Sequence, residues 1–278
     1  MNNIIFTVFV YIGSLLAGFL GSLTGLGGGI IIVPMLTLLF GVDIHYAVGA
    51  SLIAVIATSS GAASTYVKEG YTNIRIGMFL EIATTIGAII GAYFAGFAPA
   101  NIIAVVFGIV LIYSAIQSFI SRKEDSLIIS ENKIASKLKL NGYYPQKNEW
   151  KKYSMQRVPL GFSICVLAGF LSGLLGIGGG AVKVIAMDRI MKIPFKVSTT
   201  TSNFMIGVTA AASAGIYLKN GFINPPLIMP VLLGVLTGAF IGASILGRTS
   251  SKWLKILFGI LVLSLAFEMI KNAISGNL

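Results

Sequence analysis

Two stretches of the sequence, SLTGLGGGIIIVP at residues 22–34 and GLLGIGGGAVKVI at residues 173–185, decide the interpretation of the fold. Three consecutive glycines destabilise a helix, because glycine costs about 1 kcal/mol relative to alanine in a helix interior. The apolar runs that follow, residues 30–40 and 181–191, are too short to cross a bilayer at about 1.5 Å per residue. The sequence therefore predicts, in each place, two half-length helices that meet at a glycine turn.

The two stretches belong to a duplication with an offset of 151 residues (167 minus 16). LAGFL at 16–20 matches LAGFL at 167–171, and the triple glycine at 27–29 matches the one at 178–180. The same offset also pairs distant positions without a gap: Ser51 with Ser202, Tyr66 with Tyr217, Asn73 with Asn224, Gly87 with Gly238 and Gly91 with Gly242. Identities so far apart at one offset indicate two related halves.

The composition indicates a membrane protein. The chain is 56% hydrophobic and 10% charged, whereas a soluble domain has about a quarter of its residues charged. Further apolar runs, long enough to span a bilayer, occur at 44–66, 74–97, 100–120, 197–218, 226–247 and 252–272. The N-terminal stretch lacks a positive region and cleavage site, so we interpret it as a retained membrane segment. We predict an all-α polytopic membrane protein, in which each repeat has one glycine-broken pair of half-helices and three transmembrane helices.

The basic residues predict how the chain is oriented. A polar linker at 121–157 contains nine of the 20 lysines and arginines and is expected to be solvated. When this linker is placed in the cytoplasm, 17 basic residues fall inside, two outside and one within the membrane. Corresponding loops of the halves then lie on opposite sides. We predict inverted repeats at 1–120 and 158–278, a cytoplasmic linker and an external C-terminus in the inner membrane.

Several classes of function are disfavoured. The net charge of +11 does not indicate a nucleic-acid partner, because the basic residues lie between hydrophobic runs. The single His45, the lone Cys165 and the scattered carboxylates form no clustered set of metal ligands. The sequence also lacks HExxH and GxSxG motifs and paired intramembrane aspartates, which makes an enzyme a poor interpretation. We predict no cofactor and no metal, with the lipid bilayer and a small solute as partners.

The glycine turns are the predicted substrate site. Inverted repeats with broken helices bind substrates near the bilayer midplane. A half-helix that begins at the turn presents unpaired N–H groups and a partial positive charge, which favours an anion. The predicted binding glycines are Gly27, Gly28, Gly29, Gly178, Gly179 and Gly180. The alternative is that these glycines only allow close helix packing, which is our interpretation of the spaced pairs Gly87/Gly91 and Gly238/Gly242.

Hydroxyl and amide groups near the turns are the next candidates. Thr201, Ser202 and Asn203 end a run of five polar residues at the start of a membrane segment, and Ser51 aligns with Ser202. Such residues also cap helices, but five in a row exceed what one cap requires. Thr24 could add a donor, or its hydroxyl could bond back to its own helix.

Two charged residues lie within predicted membrane segments. A charge there is expensive, so each suggests a functional role. Lys183 follows the second triple glycine, and it could attract an anion or extend toward the cytoplasmic interface. Glu81 could be a proton-coupling carboxylate, or it could pair with Arg75 near the interface.

The paired motifs GSLTGLGGGIIIVPML and SGLLGIGGGAVKVIAM, each followed by a segment of small and hydroxyl residues, resemble the TauE/SafE sulfite exporter family, also called TSUP. The resemblance covers essentially the whole chain outside the linker. It implies a permease that moves sulfite, sulfonates or related anions across a prokaryotic inner membrane. The chain departs from the pattern in its long linker. It also has polar residues at 199–203 where the first half has VGASL at 48–52.

These observations lead to one main prediction of function. We predict a secondary transporter that moves a small sulfur-containing or organic anion by alternating access. The alternative is a cation-coupled or proton-coupled carrier of a neutral solute, with Glu81 as the coupling residue. A structural anchor is disfavoured because it would not need duplicated broken helices.

Overall fold

A computed structural model describes residues 3–24, 28–68, 70–119, 133–146, 149–246 and 251–276. The first half contains α1 (Asn3–Thr24), α2 (Gly29–Pro34), a π-helical turn (Met35–Leu39), α3 (Ile44–Lys68), α4 (Ile74–Ala95) and α5 (Ala100–Phe119). The linker contains α6 (Lys133–Lys137) and a hairpin of β1 (Gly142–Gln146) and β2 (Glu149–Tyr153). The second half contains α7 (Val158–Leu175), α8 (Gly180–Ile185), a π-helical turn (Ala186–Ile190), α9 (Phe195–Lys219), α10 (Pro225–Leu246) and α11 (Ser251–Ser275).

The prediction of an all-α polytopic membrane protein is confirmed. In the described part of the chain, seven helices are long and apolar enough to cross a membrane: α1, α3, α4, α5, α7, α10 and α11. Helix α9 is as long as α3, at 25 residues, but is not among the seven, so the prediction of a spanning run at 197–218 is not confirmed. Its run of polar residues, Ser198–Asn203, makes it less apolar than the other long helices.

The prediction of half-length helices is correct after each glycine turn and wrong before it. Helices α1 and α7 have 22 and 18 residues, which at about 1.5 Å per residue reach across most or all of a bilayer core. The helical segments after the turns are short, at Gly29–Leu39 and Gly180–Ile190. Each glycine turn therefore joins one long helix to one short helix.

The two halves repeat the same elements and pack into each other. An offset of 151 converts both bounds of α2, α3 and α4 into those of α8, α9 and α10. Helix α1 packs on α10, and α7 packs in the same way on α4. Helix α3 packs on its counterpart α9, and α5 packs on α11. The halves are therefore intertwined, and their inversion across the membrane stays a prediction.

Glycines bring the backbones of α4 and α7 into direct contact. A Cβ atom at Gly87 or Gly91 of α4 would overlap the carbonyl oxygens of Val166 and Phe170 on α7. In the other pair of helices, a Cβ atom at Gly238 of α10 would overlap a carbonyl oxygen of α1. The packing interpretation of these three glycines is confirmed.

The described part of the linker packs against the membrane helices through a hydrophobic cluster. Leu140, Tyr144, Tyr153 and Met155 are buried and pack in one cluster with residues of α4. The expectation of a wholly solvated linker is therefore wrong for this segment, because these large apolar and aromatic side chains cover the start of α4. Residues 121–132 lie outside the described part of the chain.

Candidate functional site

The two glycine turns meet inside the protein, and one serine side chain joins them. The Ser51 hydroxyl on α3 lies 2.9 Å from the carbonyl oxygen of Gly176 and 3.4 Å from that of Gly29, with the hydroxyl as donor in both contacts. A Cβ atom at Gly29 would lie 3.1 Å from the Gly176 oxygen. Residues 25–27, which include Gly27, are outside the described residues. The described part of the first turn therefore touches the second turn directly.

This junction lies half-way along two of the long helices. Val55 of α3 and Ile206 of α9 both contact the position where a Cβ atom would stand on Gly178. Val55 is eleven residues after Ile44 and thirteen before Lys68, and the offset of 151 gives Ile206 the same place in α9. Helices of this length span a bilayer. The turns therefore lie near the middle of these two long helices.

The second turn requires glycine for its conformation and for its space. Gly176, Gly178 and Gly179 have φ angles of +70°, +72° and +65°, which other residues adopt only at a cost of about 1–2 kcal/mol. A Cβ atom at Gly179 would also lie 2.6 Å from the carbonyl oxygen of Ala168 on α7. The chain after α7 therefore folds back along that helix, close enough that backbone touches backbone.

The first turn copies this fold-back with a different backbone. Gly28 has φ of −67° and lies beside Ala17, the counterpart of Ala168. Only the second turn therefore has left-handed glycine at its helix N-cap position, Gly179. Thr24 is the last residue of α1, and its side chain lies outside the described residues. The predicted role of Thr24 stays a prediction.

The predicted serine ligands hold the turns in place. The Ser202 hydroxyl donates to the carbonyl oxygen of Gly180 at 3.2 Å, as Ser51 does to that of Gly29. A serine hydroxyl has one hydrogen, so a serine that donates to a carbonyl cannot donate to an anion at the same time. In this conformation Ser51 and Ser202 are positioning residues. The duplication therefore repeats this contact in the two halves.

Thr201 belongs to a different contact. Its hydroxyl accepts a hydrogen bond of 3.1 Å from the backbone N–H of Asn73, at the start of α4. The Asn73 side chain also caps α4 by accepting from the N–H of Ile76. Thr201 therefore connects α9 to the first turn of α4 rather than to the glycine junction.

Asn203 is the predicted residue that remains available to a ligand. Its side chain is 6% exposed and has no hydrogen bond to any residue that the structure describes. Positions three and four residues apart share a helix face. Ile206, three residues later, contacts the Gly178 and Gly180 positions. Asn203 is therefore on the face of α9 that meets the second turn.

The sequence interpretation missed Ser172. This residue of α7 is fully buried, and its hydroxyl has no hydrogen-bond partner among the described residues. Its Cβ atom lies 3.1 Å from the place of a Cβ atom on Gly179. The signal in the sequence was a hydroxyl in an apolar helix where the offset gives Gly21 in the first half.

Lys183 and Glu81 meet through a residue that the sequence interpretation also missed. Lys183 is fully buried, and its Nζ atom donates to the Thr209 hydroxyl at 2.5 Å. Thr209 in turn donates to Oε1 of Glu81 at 2.7 Å. Arg75 instead donates to the carbonyl oxygen of Lys139. The alternatives that Lys183 extends to the interface and that Glu81 pairs with Arg75 are therefore wrong.

The carboxylate of Glu81 is only partly satisfied. Its Oε1 atom also accepts from the Thr85 hydroxyl at 3.2 Å. Its Oε2 atom is buried without a hydrogen-bond partner among the described residues. Thr209 additionally lies 2.9 Å from the carbonyl oxygen of Met205. When both groups are ionised, the negative charge of Glu81 balances the positive charge of Lys183, which lowers the cost of burying them.

With this geometry established, comparisons with known proteins identify the family. The sequence profile described as "Sulfite exporter TauE/SafE" matches residues 10–269. The chain belongs to the TauE/SafE family. Among its TauE/SafE relatives is the probable membrane transporter protein YunE of Bacillus subtilis, 31% identical over 97% of this chain and 98% of the relative.

Two other relatives are also described as probable membrane transporters and also match most of the chain. The probable membrane transporter protein YdhB of Bacillus subtilis is 30% identical, over 84% of this chain and 86% of the relative. A probable membrane transporter protein of Methanocaldococcus jannaschii is 28% identical, over 87% of both chains. No solved structure matches the chain. The resemblance seen in the sequence is confirmed, and the protein is a multi-pass membrane transporter of the TauE/SafE type.

Proposed function

We propose that this TauE/SafE protein is a secondary transporter that moves a small anion by alternating access, and that the anion binds where the two glycine turns meet. Sulfite, a sulfonate or a related sulfur-containing or organic anion is the proposed substrate class. The observation that carries the proposal is the Ser51 side chain, which joins Gly29 and Gly176 half-way along the long helices. The proposal includes inverted repeats, a cytoplasmic linker and an external C-terminus in the inner membrane.

Neutral donors are proposed to hold the anion. Successive backbone N–H groups in turns with alternating backbone hand form concave sites for anions, and in the second turn left-handed Gly176 and Gly178 flank Ile177, which is not left-handed. The Asn203 amide and the Ser172 hydroxyl are the nearby polar groups without a described protein partner. Lys183 is one helical turn after Gly180 and contributes a buried positive charge.

A carrier of a neutral solute is the second candidate. The observation that favours it is the contact of both Lys183 and Glu81 with Thr209. Because Glu81 compensates the lysine charge, the surroundings of the turns have no net charge while both groups are ionised. An anion would then rely mainly on neutral donors.

Ligand-dependent stabilisation of the purified protein distinguishes the two candidates. Sulfite, thiosulfate and sulfoacetate are tested against taurine, which is a zwitterion without net charge. A ligand at about a hundred times its Kd stabilises the folded protein by about 2.7 kcal/mol. We expect stabilisation by at least one of the three anions. A response to taurine alone would support the neutral-solute carrier instead.

Asn203→Leu tests the location of the site, because it gives the second half the Leu52 residue of the first half. Loss of a buried hydrogen bond should weaken anion binding by about 1–3 kcal/mol. The matched control is Asn272→Leu near the end of α11, which should bind the anion like the wild type. Equal affinity of the two folded variants would remove Asn203 from the site.

A further inference from the structure

We propose that Glu81, Thr209 and Lys183 form a proton-binding site that couples anion transport to proton movement. We call these three residues the buried triad. The inference rests on the proposed anion transport and adds its energy source. It depends on contacts between α4, α8 and α9 that neither the family description nor the names of the relatives mention.

The position for the proton is Oε2 of Glu81. The residue is 6% exposed, and this oxygen has no donor among the described residues although Oε1 has two. A buried charged oxygen without a hydrogen bond is costly. Protonation at Oε2 removes that charge and leaves the Thr209 and Thr85 contacts at Oε1 in place.

Protonation of Glu81 changes the charge of its surroundings, as the neighbouring titratable groups show. Helix α4 packs against α7 and α9. Among the residues that the structure describes on these neighbours and on α8, the titratable groups that interact electrostatically with Glu81 are Lys183 and the buried thiol of Cys165. Lys183 is the cation among them and donates to Thr209 rather than to the carboxylate itself. Adding a proton to Glu81 therefore leaves the lysine charge without its counter-charge.

This charge change links the proton to the anion. A proton from water on one side forms an O–H bond at Oε2 of Glu81, and the triad becomes positive by one unit. The uncompensated Lys183, one helical turn from Gly180, then favours an anion at the glycine junction. After the site opens to the other side, the anion leaves, the O–H bond breaks and the proton enters the water there. Proton and anion thus move in the same direction, one proton per cycle.

The duplication supports a single proton site. The offset of 151 places Ile32, Thr58 and Leu232 where the triad has Lys183, Thr209 and Glu81. Thr58 bonds only to carbonyl oxygens of its own helix in the described contacts. The charged pair is therefore an addition to the repeated framework rather than a part of it. Helix packing alone does not explain it, because the other copy packs with apolar residues.

Infrared difference spectroscopy of the purified protein tests the proton site without any substrate. On mild acidification near neutral pH, well above the pH at which exposed carboxylates are protonated, we expect the C=O band of a protonated carboxylic acid in the wild type. Glu81→Gln should lose this band. The matched control Glu268→Gln removes an exposed carboxylate of α11 and should retain it. A band of equal size in Glu81→Gln, or no band in the wild type, would overturn the assignment.

Proteoliposomes test the coupling. Radiolabelled thiosulfate is used because its charge is constant near neutral pH, and the membrane potential is clamped at zero. With an acidic exterior and about a tenfold proton gradient, the wild type should accumulate thiosulfate up to about tenfold. Glu81→Gln should show an accumulation ratio near one. Counterflow of thiosulfate, which needs no gradient, is measured in the same vesicles.

The outcomes separate the two proposals. Counterflow that persists in Glu81→Gln without accumulation supports the coupling role. Loss of counterflow and of accumulation in a folded Glu81→Gln variant assigns Glu81 to substrate binding and overturns the coupling role. Counterflow without accumulation in the wild type also overturns the coupling role. If sulfite, thiosulfate and sulfoacetate all show no wild-type counterflow, the proposed anion transport fails. The infrared band still decides in that case whether Glu81 binds a proton.

Discussion

Replacing Gly179 by alanine tests the geometry of the glycine junction most directly. Two costs are expected, and the structure separates them. The φ angle of +65° costs an L-residue about 1–2 kcal/mol. The new Cβ atom would also lie 2.6 Å from the carbonyl oxygen of Ala168, and overpacking of this kind typically costs about 1–3 kcal/mol. Together the two effects should lower the free energy of unfolding by about 2–5 kcal/mol.

The chain offers matched controls for each cost. Gly221 has φ of +77° with nothing within 4 Å of a Cβ atom, so Gly221→Ala measures the backbone cost alone. Gly215, within α9, has equally open space and an ordinary helical φ. Gly215→Ala should therefore be neutral or stabilising by up to about 1 kcal/mol.

The assay is reversible unfolding in mixed detergent and SDS micelles, combined with anion binding to the folded fraction. We expect stability to decrease in the order Gly215→Ala, Gly221→Ala, Gly179→Ala. Only Gly179→Ala should lose anion binding. If Gly179→Ala is no less stable than Gly221→Ala, the close approach of this turn to α7 is not as described. If it binds the anion normally, the turn is not part of the binding site.

Three further predictions concern other contacts. Ser51→Ala removes the hydroxyl that donates to the carbonyl oxygen of Gly176 at 2.9 Å, so it should lower the free energy of unfolding by about 1–3 kcal/mol in the same assay and weaken anion binding. Burial raises the pKa of Tyr153 from 10.0 to about 12. The stability that the protein gains by keeping this phenol neutral is therefore complete below pH 10 and should be lost between pH 10 and 12. The loss is at most about 3 kcal/mol, and Tyr153→Phe should abolish this part of the pH dependence of unfolding. On a Cys165→Ala background, an impermeant thiol reagent on intact cells should label Ser275→Cys and not Ser136→Cys, and the reverse pattern would overturn the proposed orientation.

The sequence predicted those features that a local or repeated pattern encodes. The 151-residue offset anticipated the matching bounds of α2 with α8 and of α3 with α9. The glycine runs anticipated the turns and the short helices after them. Spacing of four residues was enough to assign Gly87 and Gly91 to packing. In each case the physical cause lies within a few residues or in the duplication itself.

The remaining features depend on which segments meet in space. Ser51 looked like a ligand because hydroxyls bind anions, but its partners are carbonyl oxygens, one of them 125 positions away at Gly176. Thr209 gave no signal, because its importance depends on Lys183 and Glu81 from two other helices. The lengths of α1 and α7 were misjudged because a glycine turn shows where a helix stops but not that the chain then folds back beside it.

The close backbone contacts have a consequence for how the molecule can move. Helices that touch through glycines and carbonyl oxygens have no layer of side chains between them that could rearrange, so each such pair should travel as one rigid body. One body contains α1 and α10, and the other contains α4 and α7. Each combines a helix from the first repeat with a helix from the second. The duplication visible in the sequence therefore does not mark the mechanical division of the protein, and we expect the hinge of the transport cycle to run between these mixed bodies rather than between the repeats.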